Sequence, residues 1–302
     1  MKIINLNNNM PYNNPTIIGL GNFDGIHKGH LELMHEVINK SKSSDLESSV
    51  ILFNTHTEVV INNKINQSQL TSLDDKIEIL KEIGMDNVFI IDFSAELRNM
   101  TAEGFVCKIL VDLCNAKAIV VGKDYTFGYN ASGNVEKLIE LSKDRYEIKI
   151  IDDYKIDGFR VSSSSIRSLI EDGNIEYANK LIGRNYRLKG KVVKGDGRGK
   201  NLGFPTANIN LNFNYLVPKD GVYLSNIIVK DKSYRSLTSI GYNPTFNGST
   251  LRVEVYIDEF DEDIYGEDII LYFVKYLRPM INFSSIEELI DQMNLDLNQL
   301  RG

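Results

Sequence analysis

The stretch Thr16-Ile17-Ile18-Gly19-Leu20-Gly21-Asn22-Phe23-Asp24-Gly25-Ile26-His27-Lys28-Gly29-His30 decides the architecture of the first half of the chain. Thr16 to Leu20 is a short apolar run of the kind that makes a buried strand. After Leu31 the period changes: Met34 and Ile38 follow it at i+3 and i+7, one face of a helix. Between strand and helix lies a glycine-rich loop with two histidines. In an α/β sheet this is where main-chain N–H groups at a helix N-terminus meet phosphates.

The alternation continues downstream. Apolar runs at Val50–Phe53, Val88–Ile91, Ala118–Val121 and Glu147–Ile151 are separated by segments of helical period, among them Phe105, Ile109 and Leu113 at i, i+4 and i+8. This predicts an α/β unit built on a parallel sheet. Ser162 to Ser165 offer N-caps for a helix through Ile170, Gly173 stops it, and a second short helix, Ile175–Ile182, ends at Gly183. The domain boundary is expected there, between 1–183 and 184–302. Beyond it, alternating strands such as Val222–Val229, Leu251–Ile257 and Ile269–Tyr276, split by Gly, Asn, Asp and Pro turns, predict a compact antiparallel β-domain closed as a barrel. A last amphipathic helix, with Ile286, Leu289, Ile290 and Met293 on one face, is expected to lean on it.

Composition agrees with two folded cores in 302 residues: 42% of the chain is apolar and 25% charged. A net charge of −7 disfavours phosphate-backbone partners, so no nucleic acid is expected. The Asn-rich start from Met1 to Asn14 lacks a basic end and an apolar core, and no run approaches the ~18 apolar residues of a membrane span. No membrane partner is expected and the cytoplasm is the default compartment. Cys107 and Cys114 suit two small buried residues better than a disulfide or a metal cage.

His27 and His30 lie one turn apart with Gly29 between them, so both imidazoles can reach a triphosphate lying close to the backbone. Such an arrangement suits charge stabilisation during transfer at an α-phosphate. Three other readings compete: a plain surface pair, a dinucleotide fingerprint, and two metal ligands. Gly19, Gly21 and Gly25 are spaced G-x-G-x-x-x-G, which misses the third glycine of the fingerprint. A metal would want further His or Cys nearby. His56 also falls in a loop after a predicted strand, whereas His35, on the helix itself, reads as structural.

Gly21 to His30 resembles the H-x-G-H loop of the nucleotidyltransferase superfamily, in the G-x-F-D-G-x-H-x-G-H version of prokaryotic FAD synthetases. Leu70-Thr71-Ser72-Leu73-Asp74-Asp75-Lys76, Val121-Gly122-Lys123-Asp124-Tyr125-Thr126-Phe127-Gly128 and Val161-Ser162-Ser163-Ser164-Ser165-Ile166-Arg167 follow that family's pattern in order. The resemblance implies a Rossmann-like nucleotidyltransferase domain that transfers AMP from ATP to FMN. It assigns His27 and His30 to the ATP phosphates, with Gly21, Phe23, Asp24, Gly29 and His56 in the same site. Asp124 goes to the nucleotide or flavin pocket, and Ser162, Ser163, Ser164 and Arg167 to the pyrophosphate side. Read alone, the serine run is a plain helix cap. The chain departs from the family where Phe53-Asn54-Thr55-His56-Thr57 replaces Phe-x-Pro-His-Pro, and at Ser165, where a basic residue is common.

In the β-domain, Lys194-Gly195-Asp196-Gly197-Arg198-Gly199-Lys200-Asn201 lacks the first glycine and the hydroxyl of a Walker loop. The following Gly203-Phe204-Pro205-Thr206-Ala207-Asn208 places Thr206 and Asn208 on one face of a strand, oxygen ligands that suit Mg²⁺. Arg252, Glu254 and Tyr256 alternate with Val253, Val255 and Ile257. Glu254 is expected over the barrel mouth, the competing reading being an ordinary solvated sheet face.

Lys189 to Asn208, with Gly221-Val222-Tyr223, Ile240-Gly241-Tyr242-Asn243-Pro244-Thr245-Phe246, the segment around Glu254 and Leu277-Arg278-Pro279, resembles the riboflavin kinase module. That likeness implies a six-stranded barrel in which Thr206 and Asn208 hold Mg–ATP and Glu254 is the base. Gly195, Gly203, Pro205 and Arg278 are implied in the same site. Riboflavin, FMN and ATP are the partners that both resemblances imply. Other readings are a riboflavin kinase whose adenylyltransferase half is impaired, a flavin-binding regulator without turnover, and an aminoacyl-tRNA-synthetase-like use of the histidine loop.

Overall fold

The computed structural model describes residues 1–54, 68–195, 199, 202–245 and 248–302. The chain divides into two compact units, Met1–Ser163 and Ser164–Gly302. Thr55, His56 and Thr57, where the loop departs from the FAD synthetase pattern, lie outside the described residues, as do Asp196, Gly197, Arg198, Lys200 and Asn201.

The first unit runs β1 (Lys2–Asn5), β2 (Thr16–Leu20), α1 (Lys28–Lys42), β3 (Glu47–Phe53), α2 (Leu73–Glu82), β4 (Asn87–Ile91), α3 (Phe105–Leu113), β5 (Ala116–Gly122), α4 (Val135–Ser142) and β6 (Glu147–Ile151), followed by a small hairpin of β7 (Lys155–Ile156) and β8 (Phe159–Arg160). The main sheet is parallel, in the order β1-β4-β3-β2-β5-β6. From β2 the chain goes to β3 on one side, while β5 lies on the other. The C-terminal ends of β2 and β5 therefore flank the crevice at which doubly wound sheets bind ligands.

Strand alternation sorts the core into two layers. Ile17, Val50, Leu52, Val88 and Val120 pack against Leu33, Met34, Val37, Ile79 and Leu80 of α1 and α2. Ile18, Leu20, Ile51, Phe89 and Val121 pack against Phe105, Ile109 and Leu113 of α3 and Leu138 of α4. The expected helix at Phe105–Leu113 forms, but it is wound wider than its i, i+4 spacing predicts: it is a π-helix, closed by the Cys114 N–H donating to Ile109 O at 2.9 Å. Hydrogen bonds that reach five residues back still keep Phe105, Ile109 and Leu113 buried.

At the opposite end of the sheet from the crevice, Glu47 gathers donors from distant segments. The Asn87 and Asn14 amides donate to it at 2.7 Å each, the Tyr12 hydroxyl donates to it, and Lys2 approaches at 3.3 Å. Burial alone would push the carboxyl up, but these partners hold it down at about 2, against its ordinary 4.5. Because the folded value is the lower one, this stability is complete above pH 4.5 and is lost as pH falls toward 2. Glu47→Gln should cost about 1–2 kcal/mol near pH 7. Thermal unfolding of both proteins across acid pH should show the gap closing as Glu47 protonates.

The second unit includes α5 (Ser163–Glu171), within which the division between units falls, and α6 (Ile175–Ile182). It continues as β9 (Tyr186–Val193), β10 (Thr206–Leu211), β11 (Gly221–Val229), β12 (Lys232–Thr245), β13 (Gly248–Ile257), β14 (Asp268–Arg278) and α7 (Ile286–Arg301). The six strands close into an antiparallel barrel in the order β10-β13-β12-β11-β14-β9. Leu188, Val192, Tyr223, Ile227, Ile240, Val253, Val255, Leu271 and Phe273 are buried, alternating along their strands with less buried neighbours.

The terminal helix leans on the barrel as expected, with one member of its apolar face left out. Ile286 is 59% exposed and Leu289, Ile290 and Met293 are half-buried. The helix is anchored through its other end, where Leu300 and Asp296 are buried. Arg278 grips Asp296 through Nε at 3.1 Å and Nη2 at 2.7 Å, Arg301 pairs with Asp258 at 2.8 Å, and Arg235 donates to Leu300 O at 3.0 Å. Forked arginine–carboxylate pairs fix orientation as well as contact.

Candidate functional site

In the first unit the site is built at the C-terminal ends of β2 and β5. Leaving β2 at Gly21, the chain turns through three residues of positive φ, Phe23 (50°), Gly25 (83°) and Ile26 (35°). Left-handed backbone suits Gly25, and a Cβ there would stand 2.9 Å from a Leu70 side-chain carbon. Phe23 and Ile26 are fully buried, so packing holds them in a conformation their type avoids.

The turn delivers His27 to the N-cap of α1, where its Nδ1 accepts from the His30 N–H at 3.3 Å. The two imidazoles stack at 3.7 Å between centroids, and Phe23 meets His30 edge-on at 5.3 Å. His27 is 5% exposed and His30 half-buried, with Gly29 in the first turn between them. Two ring nitrogen-bearing side chains and the open N–H groups of a long helix thus share one spot, an arrangement made for an anion.

A segment far along the chain supports this turn. Asp24, 3% exposed, accepts through Oδ1 from the Leu70 N–H at 3.0 Å and the Thr71 N–H at 3.3 Å. The Gly25 N–H donates to Thr71 Oγ1 at 2.9 Å. Ser72 then caps α2 in a reciprocal box with Asp75. Lys76, on the first turns of that helix, is 6% exposed and donates to Asn22 O at 3.3 Å. Burial lowers its ammonium below the usual value, and the Asp24 carboxylate opposes that shift. Sequence reasoning placed Asp24 beside ligand, whereas its carboxylate faces Leu70 and Thr71 as an internal brace.

Asp124 follows β5 on the other side of the crevice and is exposed. It pairs with Arg160, which also meets Asp153 at 2.9 Å, and Asp153 in turn holds Lys123 at 2.9 Å. Ser162 is half-buried, and Ser163 donates its hydroxyl proton to the main-chain oxygen of Asp24 at 2.9 Å. Ser164 and Arg167 lie on the second unit's side of the division, in the first turns of α5.

Beside the histidine loop lies a cavity of about 270 Å³, to which Asn22, Phe53, Phe93, Phe105, Tyr125 and Phe127 contribute. Tyr125 and Phe127 stack at 5.8 Å, and Phe53 meets Phe93 edge-on at 5.5 Å. Sequence reasoning missed this chamber. Its one available signal was the Tyr125-Thr126-Phe127 alternation directly after a strand.

In the second unit the barrel register assembles the site. Thr206 pairs with Tyr256, Ala207 with Val255 and Asn208 with Glu254, while Glu254 pairs on its other side with Ser239. Val253 and Val255 are buried inside the barrel, so Thr206, Asn208 and Glu254 stand together on its outer wall. The expectation that Glu254 sits over the barrel mouth is thereby corrected: the apolar members of β13 take the interior. Arg252 Nη1 lies 3.6 Å from Glu254 Oε1.

The Asn208 amide is approached by main chain. A Cβ on Gly195 would lie 2.0 Å from it, closer than any side chain allows. Gly203, at φ 85°, turns the chain into Pro205 and β10. Next to Ser239, Met280 Sδ comes within 3.6 Å of its hydroxyl, and Met280, Ile281 and Ile286 are exposed. Met280 therefore lies beside Ser239, the residue paired with Glu254 across the strands. Arg278 is held in the Asp296 fork described above.

Fold and site together have the make-up of a two-unit nucleotide-using transferase: a histidine-bearing helix start at a sheet crevice, and a barrel wall of oxygen donors with a carboxylate. Residues 9–165 match the FAD synthetase family model and residues 182–302 the riboflavin kinase family model. The bifunctional riboflavin kinase/FMN adenylyltransferase of Listeria monocytogenes is 36% identical, over 95% of this chain and 91% of that protein. The protein of the same description from Bacillus subtilis is 30% identical over 93% and 90%. A crystal structure described as a macrolide-efflux protein from Streptococcus pneumoniae superposes with a TM-score of 0.92 at 32% identity, covering 99% of each chain. Among the described residues no helix is long and apolar enough to cross a membrane. The chain belongs to the family of bifunctional riboflavin kinases/FMN adenylyltransferases.

Proposed function

We infer that the second unit phosphorylates riboflavin to FMN with ATP and that the first transfers AMP from ATP to FMN, releasing FAD and pyrophosphate. The observation that carries this reading is the coexistence in one chain of the His27–His30 helix start beside an aromatic chamber and the strand register that sets Thr206 and Asn208 beside Glu254 on the barrel wall. The functional boundary is assigned at Gly183, with 1–183 for adenylyl transfer and 184–302 for the kinase, whereas the structural division falls at Ser163/Ser164.

On the barrel, Glu254 accepts the proton of the ribityl 5′-hydroxyl as that oxygen attacks the γ-phosphorus and the β–γ bond breaks to leave ADP. Thr206 and Asn208 present neutral oxygen donors on one wall, a set that fits a hard cation such as Mg²⁺. Bound there, Mg²⁺ would balance phosphate charge. In the first unit an FMN phosphate oxygen attacks the α-phosphorus and pyrophosphate leaves. His27, His30 and the N–H groups of α1 stabilise the charge that develops. Ser162 and Ser163 serve the pyrophosphate side, and Asp124 with Arg160 closes the crevice edge. The flavin ring takes the chamber lined by Phe53, Phe93 and Phe127. Cytoplasm, where thiols such as Cys107 and Cys114 stay free, is the compartment this reading assigns.

The test is incubation of the purified chain with riboflavin, ATP and Mg²⁺, separating riboflavin, FMN and FAD over time by chromatography. FMN followed by FAD is expected. FMN without FAD, even with pyrophosphate removed and reduced flavin supplied, would limit the activity to the kinase; neither product would refute both assignments.

A further inference from the structure

Lys76 takes no direct part in the chemistry above, yet a lysine 6% exposed is costly to keep. It has a defined task in the fold. Its ammonium donates to Asn22 O at 3.3 Å, and it feels the carboxylate of Asp24, itself 3% exposed. The Lys76–Asn22 hydrogen bond and the Asp24 bonds to Leu70 and Thr71 bracket Phe23, the first residue of the left-handed turn that carries His27 to its N-cap. The main-chain oxygen of Asp24 also accepts from Ser163, so the same turn meets the serine run.

We propose that Lys76 is a positioning residue for adenylyl transfer, a buried cation that with Asp24 locks the Asn22–Ile26 turn so that His27 and His30 address the phosphates. The proposal rests on the adenylyl transfer assigned to the first unit. Leaving Asp24 buried without the nearby Lys76 charge is worse than removing both charges, because a buried ion with less compensation keeps more of its desolvation cost. Asp24→Asn retains an Oδ1 acceptor for the Leu70 and Thr71 N–H groups.

The riboflavin kinase activity of the same molecule supplies the control for folding. In the full chain, Lys76→Met should lower kcat for FAD formation from FMN about 10- to 100-fold, with the KM for ATP within about threefold and FMN formation from riboflavin within about twofold. The double variant D24N/K76M should recover at least about threefold of the lost kcat over K76M alone. FAD formation by K76M within about twofold of wild type overturns the proposal, as does a loss that D24N fails to relieve. A fall only in unfolding temperature, with kcat intact at lower temperature, also overturns it. Should K76M lose both activities by unfolding, D24N/K76M decides: an FAD-forming rate below wild type with the kinase intact supports the turn-locking role, and a wild-type rate or joint loss of both activities overturns it. A wild-type chain that makes no FAD overturns the underlying assignment, whereas an active wild type with an unimpaired K76M overturns the positioning role alone.

Discussion

Glu254→Gln should lower riboflavin phosphorylation about 10²- to 10⁴-fold in kcat, the range that one positioned general base supplies. The KM values for riboflavin and ATP should move far less. A glutamine keeps the shape of the side chain and its place opposite Asn208 and Ser239 but cannot accept the 5′-hydroxyl proton. Its loss is felt as the oxygen attacks, not while substrate sits bound, so turnover falls more than affinity. FAD formation from added FMN should continue at the wild-type rate, since that chemistry belongs to the first unit. Steady-state kinetics with riboflavin or FMN as the starting flavin separate the two activities. A variant whose main defect is a raised KM would show that Glu254 binds substrate instead of taking its proton.

His27→Asn should have the mirror effect, with FAD formation reduced about 10²- to 10³-fold, as for removal of one donor from a preorganised charge-stabilising site, while riboflavin phosphorylation is kept. Asparagine is chosen because His27 has two jobs. Its Nδ1 caps α1 by accepting from the His30 N–H, and its ring stacks on that of His30. Asparagine is among the best N-caps, so the helix start survives while the imidazole is lost. His27→Ala would remove both functions and confound them. Pre-steady-state measurement of FAD formation at saturating ATP isolates the transfer step. A variant with undiminished transfer would leave the helix N-terminus as the sole anion-binding element and remove the imidazole from the mechanism.

The loop from Gly21 to His30 was legible without coordinates because its information is local. An apolar strand, a glycine-rich turn and a helix of regular period follow one another within a few residues, and steric preference and side-chain alternation decide each in turn. The strand β2 forms at Thr16–Leu20, where the apolar run predicts it, and β6 forms likewise at Glu147–Ile151. The alternation of Val253, Val255 and Ile257 with Arg252, Glu254 and Tyr256 told which residues share a face. It did not tell which face turns inward, hence the misplacement of Glu254 at the mouth. The barrel interior settles that by filling itself with valine and isoleucine.

What only the tertiary structure decided are contacts between segments distant in sequence. Leu70, Thr71 and Lys76 close on the Asn22–Gly25 turn across roughly half a hundred residues, a separation that strand order, not periodicity, brings together. The aromatic chamber draws Phe53, Phe93, Phe105 and Phe127 from four separate segments. Arg278, expected near ligand, is claimed by Asp296 once the last helix docks. The sequence by itself determined the two fold classes, the strand–turn–helix order of the histidine loop and the face shared by Thr206 and Asn208, because backbone sterics and side-chain period act over neighbours. Which distant groups brace that loop, wall the aromatic chamber and bind Arg278 depended on close packing of whole elements, whose selectivity no single segment carries.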